Sequence, residues 1–260
     1  QIGTAIQNAR LVRSSLAQQR LQQEMQLAND LQMKLLPDTR LFAPEALVSA
    51  RVVPADSVGG DFYHLFRLGG GRIGVMIGDV SSHGYRAALI MALVMSASSI
   101  HAQATVDPAE MLDALLATLR EELESTEMFI SAFYAVLDPA HGTMRYANAG
   151  HPHAFVIDGE GNLERLAALD PPLGMSPQHP SVRERAWAPG TDVLLLFTDG
   201  ISDARNRLDV RLGEKRVLDT VRASRREHPD VIVERVFAAL RAHAGEAIRR
   251  DDLTLLVART

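Results

Sequence analysis

Four positions in this chain put aspartate where a charge is expensive to keep. Asp61 follows Gly59-Gly60 and precedes an apolar run that begins at Phe62. Asp79 stands at the end of the run Ile73–Ile77, before Val80-Ser81-Ser82-His83-Gly84. Asp199 ends the run Val193–Phe197 and is followed by Gly200, and Asp251-Asp252 precede the last run, Leu253–Ala258. An unpaired carboxylate beside buried apolar surface is costly. Aspartate next to glycine is also a common turn former, so each position alone reads as a turn. Four such acids, with adjacent glycine that lets the backbone approach closely, read together as a cluster. Clustered carboxylates repel one another unless a cation sits between them. Ligation by oxygen alone suits hard Mg²⁺ or Mn²⁺ rather than structural zinc.

Composition narrows the alternatives. With no cysteine in 260 residues, disulfide scaffolds, cysteine zinc sites, iron–sulfur clusters and thiol catalysis are all excluded. Any metal falls to carboxylate or imidazole, from a supply of 32 Asp and Glu and 9 His. Hydrophobic residues at 47% and charged residues at 23% describe an ordinary globular chain with a sizeable core, in one or two domains. A net charge of −5 argues against a nucleic-acid partner. The longest apolar stretch, Ala87–Ala97, is too short to span a bilayer, which takes about 20 residues. With no signal peptide and no initiating Met, the expectation is a cytoplasmic piece of a longer chain without a membrane partner.

Two kinds of text must position these acids. Residues Gln1–Leu36 lack proline, and their apolar residues recur at Ile2, Ala5, Ala9, Val12 and Leu16, then at Leu21, Met25, Ala28, Leu31 and Leu35. Steps of three and four with one break predict a coiled-coil helix, ended by Pro37. Its narrow apolar seam needs a partner: a parallel homodimer supplies one, and packing of one long helix on its own domain is the other reading. From Asp38 the period changes. Leu47–Val53, Phe62–Leu68, Ile73–Ile77, Phe129–Leu137, Thr143–Ala147, His153–Ile157, Val193–Phe197 and Leu253–Ala258 predict strands. Tyr85–Ile100, a helix from Pro108 capped by Asp107, Gly213–Ala223 and Pro229–Ala244 predict helices. Strands arrive as hairpins and helices in pairs, so the class is α+β with antiparallel sheets. No glycine-rich dinucleotide or P-loop motif is present. The domain reading is therefore a linker helix over 1–37 and one domain over 38–260.

In their order and spacing, Gly59-Gly60-Asp61-Phe62-Tyr63, Gly78-Asp79-Val80-Ser81, Asn148-Ala149-Gly150-His151, Phe197-Thr198-Asp199-Gly200 and Asp251-Asp252-Leu253-Thr254 resemble the motifs of the metal-dependent (PPM-type) serine/threonine protein phosphatases, in the bacterial SpoIIE-like subgroup. The resemblance runs from about Leu36 to Thr260, and residues 1–10 resemble the last helix of a GAF sensory domain. It implies a sandwich of two antiparallel sheets flanked by helix pairs, with a two-metal centre at its edge. Asp79 would bridge two Mn²⁺ or Mg²⁺ ions, with the Val80 carbonyl and Asp61 on one of them and Asp199 and Asp251 on the other. Of the adjacent pair, Asp251 aligns with the family ligand and Asp252 is the less favoured choice. Two such ions about 3.5–4 Å apart activate a water for in-line attack on phosphorus. His83 is the nearest candidate by sequence for protonating the leaving alkoxide, with a plain loop residue as its other reading. His151 reads as a packed, hydrogen-bonded residue supporting its turn; His101, His141 and His243 read as surface.

Two residues depart from the family pattern: His64 where aspartate is common, and Ser82 where glycine is common. The first could weaken metal binding or alter an outer contact, and the second could stiffen the loop beside Asp79. The resemblance further implies a phosphorylated anti-anti-sigma (STAS) protein as substrate, an upstream sensory domain in the same chain, and a helix that carries the sensor's state to the site. The alternatives from other classes are a catalytically silent phosphatase-like binding scaffold and a purely structural dimerisation module.

Overall fold

The computed structural model describes residues 2–82, 84–176, 179–245, 247 and 249–260; of residues 2–12, 14, 16, 17, 21 and 22 it describes the helical backbone only. His83 lies outside the described residues, as do the side chains of Ile2, Ala5, Ala9, Val12, Leu16 and Leu21.

Helix α1 runs Ile2–Met33 without interruption, so the break in the apolar pattern does not break the backbone. Turn hydrogen bonds from the Lys34 and Leu35 amides close it before Pro37. Strands β1 (Leu47–Val53), β2 (Phe62–Leu68) and β3 (Arg72–Val80) follow. Next come helices α2 (Tyr85–His101) and α3 (Pro108–Thr126). The expected cap is present: the Asp107 carboxylate accepts from the Ala109 and Glu110 amides at 2.8 and 3.3 Å. Strands β4 (Ile130–Asp138), β5 (Thr143–Ala149), β6 (His153–Ile157), β7 (Leu163–Arg165), β8 (Arg183–Ala186) and β9 (Val193–Phe197) complete the middle of the chain. Helices α4 (Asp199–Asp203), α5 (Glu214–Ser224) and α6 (Pro229–Ala244) precede β10 (Leu253–Arg259).

The strands form two antiparallel five-stranded sheets, ordered β1-β10-β9-β6-β7 and β2-β3-β4-β5-β8. Period-two alternation divides the apolar residues between layers. Ile73, Val75 and Ile77 of β3 face Leu194, Leu196 and Leu256 in the core between the sheets. Met76, Phe66 and Tyr134 face outward beneath Met91, Met95 and Leu115 of α2 and α3. On the opposite side Phe155, Leu195 and Leu255 pack beneath Val221, Val233 and Phe237 of α5 and α6. The fold is thus α+β, two stacked sheets between helix pairs.

Three differences from the sequence reading bear on the site. Strand β3 extends to Val80, which places Asp79 inside the strand, opposite Ser131 of β4. Asp199 starts the five-residue helix α4 instead of trailing a strand. Strands β7 and β8 are mostly exposed and lack an apolar alternation, so no periodicity marks them.

Candidate metal centre

The acids meet where the ends of both sheets come together. Asp61 leads into β2 and Asp79 lies near the end of β3, in the same sheet; Asp199 follows β9 and Asp251 precedes β10, neighbouring strands of the other sheet. Glycines make the approach possible. A methyl group at Gly200 would collide with the Asp252 carbonyl, and one at Gly59 with the Asp252 carboxylate. A methyl group at Gly60 would sit 2.9 Å from the Val80 carbonyl oxygen and 3.4 Å from Asp79 Oδ1. Gly60 therefore leaves clear the space in front of both groups.

Asp79 carries the electrostatic signature. Burial first, then the charges of Asp199, Asp251 and Asp252, push its carboxyl up to about 8. Asp61, buried at 4% exposure, is also driven well above the carboxylate range. Burial is the main cause and Asp79 the second; hydroxyls of Thr254 and Thr198 oppose them. Of those two, Thr198 makes a well-formed bond, donating from Oγ1 to Asp61 Oδ2 at 2.7 Å, while the Thr254 hydroxyl has no partner of good geometry. Asp251 is exposed, and its carboxylate accepts from the Asp252 amide at 2.9 Å.

Asp252 is the acid whose part the sequence left unassigned. It is buried, and its two oxygens accept from the Ala55 amide at 2.8 Å, the Gly60 amide at 2.8 Å and the Asp61 amide at 3.4 Å. It holds the Gly59-Gly60-Asp61 corner in place. Gln32, in the last turn of α1, holds the same corner from the other side: Nε2 donates to the Gly59 carbonyl at 2.6 Å and Oε1 accepts from the Gly59 amide at 3.0 Å. Sequence reading had no access to Gln32, because a glutamine on a polar helix carries no signal.

A cleft of about 190 Å³ opens beside the acids, lined by Asp79, Asp199, Ser131, Thr198 and His151 among others. Asn148, fully buried, ties its wall: its side chain bonds both the amide and the carbonyl of His151 and the carbonyl of Leu166. His151 is thus hydrogen-bonded through its backbone, whereas its ring nitrogens lack partners of good geometry. Burial first, then His153, holds the ring down to about 3, so it stays neutral. His64 points elsewhere: Nε2 lies 3.1 Å from Ser99 Oγ on α2, and the ring stacks on Phe66 with centroids 4.3 Å apart. It docks α2 on the sheet. Ser82 holds a φ of +81°, a backbone conformation that glycine adopts without strain.

The residues fit divalent cations by the chemistry of the donor set. They are oxygens throughout, the charges bearing on Asp79 are all negative, and glycine clears the front of a buried carbonyl. Among the described residues, no three histidine or acidic side chains converge on a single ligating point.

The family described as Stage II sporulation protein E (SpoIIE) matches residues 69–260. The chain belongs to the SpoIIE family. Asp79, Val80, Asp199 and Asp251 fall within the matched segment, and Asp61 precedes it. Protein IcfG of Synechocystis is 27% identical over 262 residues, covering 90% of this chain and 41% of the relative. Phosphoserine phosphatase RsbU of Bacillus subtilis is 30% identical over 190 residues, covering 72% of this chain and 56% of the relative. The chain thus spans about half the length of the curated relatives it matches. The solved SiaA-PP2C domain of Pseudomonas aeruginosa superposes with a TM-score of 0.84 at 26% identity, covering 94% of this chain and 98% of that one. The SpoIIE-family chain therefore has the fold and motif order of the PPM-type phosphatases, and among its described residues no helix is long and apolar enough to cross a membrane.

Proposed function

We propose that this chain is a metal-dependent phosphoserine/phosphothreonine protein phosphatase. The observation that carries the reading is Asp79, a carboxyl raised to about 8 amid other carboxylates, which favours a cation as its partner. Asp61, Asp79, the Val80 carbonyl, Asp199 and Asp251 would hold two divalent ions, Mn²⁺ or Mg²⁺. When bound, such a pair supplies positive charge to an attacking water and to the phosphoryl oxygens. The chain's own residues prepare the rest. Thr198 fixes one oxygen of Asp61, and Asp252 fixes the backbone that carries it. The 190 Å³ cleft receives the phosphorylated side chain, and His151, neutral and buried, adds no charge of its own. The substrate is a phosphorylated STAS protein, consistent with the resemblance to the RsbU phosphatase. Residues 1–37 form a linker that joins an upstream sensory domain and pairs with a second copy; Leu27, Leu31 and Leu35 are exposed along it. A cytoplasmic location follows from that setting.

The deciding experiment is Mn²⁺-dependent hydrolysis of a phosphoserine peptide by the wild type and by Asp79→Ala. Turnover by the wild type that is lost with chelator and lost in the variant is expected. Full activity in excess chelator, or in the variant, would overturn the two-metal reading, and no turnover of any phosphoprotein by the wild type would favour a silent scaffold.

A further inference from the structure

A second cavity, of about 270 Å³, lies against the carboxylate cluster. Its floor is apolar, from Leu240 and Leu253. Arg205, Arg249 and Arg250 stand on its rim, and Asp251 is a wall it shares with the candidate metal centre. The guanidinium groups are thinly neutralised. Arg205 and Arg250 both reach Asp209, at 2.8 and 3.0 Å, so one carboxylate answers two cations. Arg249 donates to the neutral Pro54 carbonyl at 3.3 Å, and Asp203, the other acid lining this cavity, is taken up by Arg211 at 2.9 Å. Three guanidinium groups thus gather on this rim, on a chain whose net charge is −5.

The adjoining turn adds an apolar contact. Asn206 Oδ1 accepts from the amides of Leu208 and Val210 at 2.9 and 3.1 Å, holding a tight turn that leaves Leu208 82% exposed. His243 of α6 ties the turn down through the Val210 carbonyl at 2.9 Å. An ordered turn that presents leucine to solvent beside arginines that share one carboxylate has the make-up of a protein-contact surface.

We propose that Arg205, Arg249 and Arg250 form a docking subsite for acidic side chains that flank the phosphorylated residue of the protein substrate. The proposal rests on the phosphatase reading above and adds the substrate class. Asp251 lines this cavity and its charge bears on Asp79 of the metal centre, so a chain with its phosphoserine in the metal centre passes the arginine rim within a few residues, at about 3.3 Å per extended residue. Guanidinium forks suit carboxylates in two-point contact, and the rim offsets the repulsion that an acidic enzyme exerts on an acidic partner.

The test compares two synthetic phosphoserine peptides, one with glutamates on both sides of the phosphoserine and one with glutamines there, in the presence of Mn²⁺. The wild type is expected to prefer the acidic peptide by about tenfold in kcat/KM, expressed in KM, and the preference is expected to shrink with added salt. The Arg249→Gln/Arg250→Gln double variant should bring the ratio of the two peptides close to one, and Arg250→Glu should turn it toward the glutamine peptide. An equal rate on both peptides by the wild type, or a ratio unmoved by either variant, would overturn the docking subsite while leaving the phosphatase reading intact. Hydrolysis of neither peptide would remove the phosphatase reading and the subsite with it.

Discussion

Two aspartates at this centre, Asp252 buried and Asp79 half-buried, live under opposite conditions. Asp252 is enclosed by donors: three backbone amides point at its two oxygens. Asp79 is enclosed by its own kind, with Asp199 and Asp251 both raising its carboxyl. Both lie at sheet ends beside glycine, and both cost desolvation. What separates them is who repays it. Asp252 is satisfied by the chain and so serves the fold. Among the described residues no donor answers Asp79, and under the proposed function its charge is answered by the bound cations.

The sharpest way to break that contrast is Asp79→Asn. Under the proposed mechanism, phosphopeptide hydrolysis with Mn²⁺ is expected to fall by about a thousandfold or more, the scale for losing a group that holds a catalytic metal. Stability should move the other way. The folded state holds a proton on Asp79 up to about pH 8, whereas the unfolded chain releases it near 3.8. Its contribution is therefore full below the unfolded value and is lost as pH rises through the folded one. Asp61 is raised too and acts with the same sign. Metal-free wild type is expected to lose melting temperature from pH 6.5 to about 9, above the range in which His151 acts, and Asp79→Asn to flatten that fall. A wild-type melting temperature that climbs over this interval would contradict the assignment of Asp79.

Asp252→Ala tests the other half. Removing an acceptor from buried amides is expected to cost about 2–4 kcal/mol, or a melting temperature lower by about 5–12 °C, with or without metal. Thermal denaturation in chelator isolates this effect, because a residue that served only to bind metal would leave the metal-free protein unchanged. Gln32→Ala is the milder version. It withdraws two hydrogen bonds from Gly59 on the opposite side of the same corner, for an expected cost of about 1–2 kcal/mol. Because α1 supplies Gln32, the loss should also appear as weaker Mn²⁺ binding by calorimetry, if Asp61 depends on a fixed corner. Unaltered stability and affinity in Gln32→Ala would mean that Asp252 holds the corner alone.

Most of the fold was legible because its strands are short apolar runs between turn residues, and α3 carries a recognisable cap. Asp107 and Pro108 marked the start of α3 in sequence and cap it in the structure. The exposed pair β7 and β8 carries no such pattern, since an edge strand with charged faces has no core to declare itself to. At the site, Asp61, Asp79 and Asp199 stood out because acids beside apolar runs are costly. The difference between Asp251 and Asp252 did not. Adjacent residues share their sequence context; the family resemblance favoured Asp251 as the ligand, and the three amides on Asp252 show the separate part it plays. His64 was similarly ambiguous: its departure from the family pattern suggested a change near the metals, whereas its ring is spent on Ser99 and Phe66.

The smallest expected effect concerns Ser82, whose substitution for the usual glycine reads in sequence as a stiffened loop. Its φ of +81° lies where a side chain crowds the backbone, at a cost of about 1–2 kcal/mol. Ser82→Gly relieves that crowding but adds freedom to the unfolded chain, which returns roughly 0.5–1 kcal/mol. The net gain is about 0.5–1 kcal/mol, or a melting temperature higher by about 1–3 °C. Ser82→Ala separates backbone from hydroxyl: it keeps the Cβ and should leave the melting temperature where serine puts it. The neighbouring Ser81 amide is bonded to the Phe129 carbonyl at 2.8 Å, and the Ser81 hydroxyl accepts from the Phe129 amide at 2.9 Å. The chain just after Val80 is therefore fixed to β4's approach whatever stands at 82. Relief of strain at Ser82 should thus raise stability without changing Mn²⁺ affinity, and an affinity that rose with stability would place Ser82 among the residues that set the Val80 carbonyl.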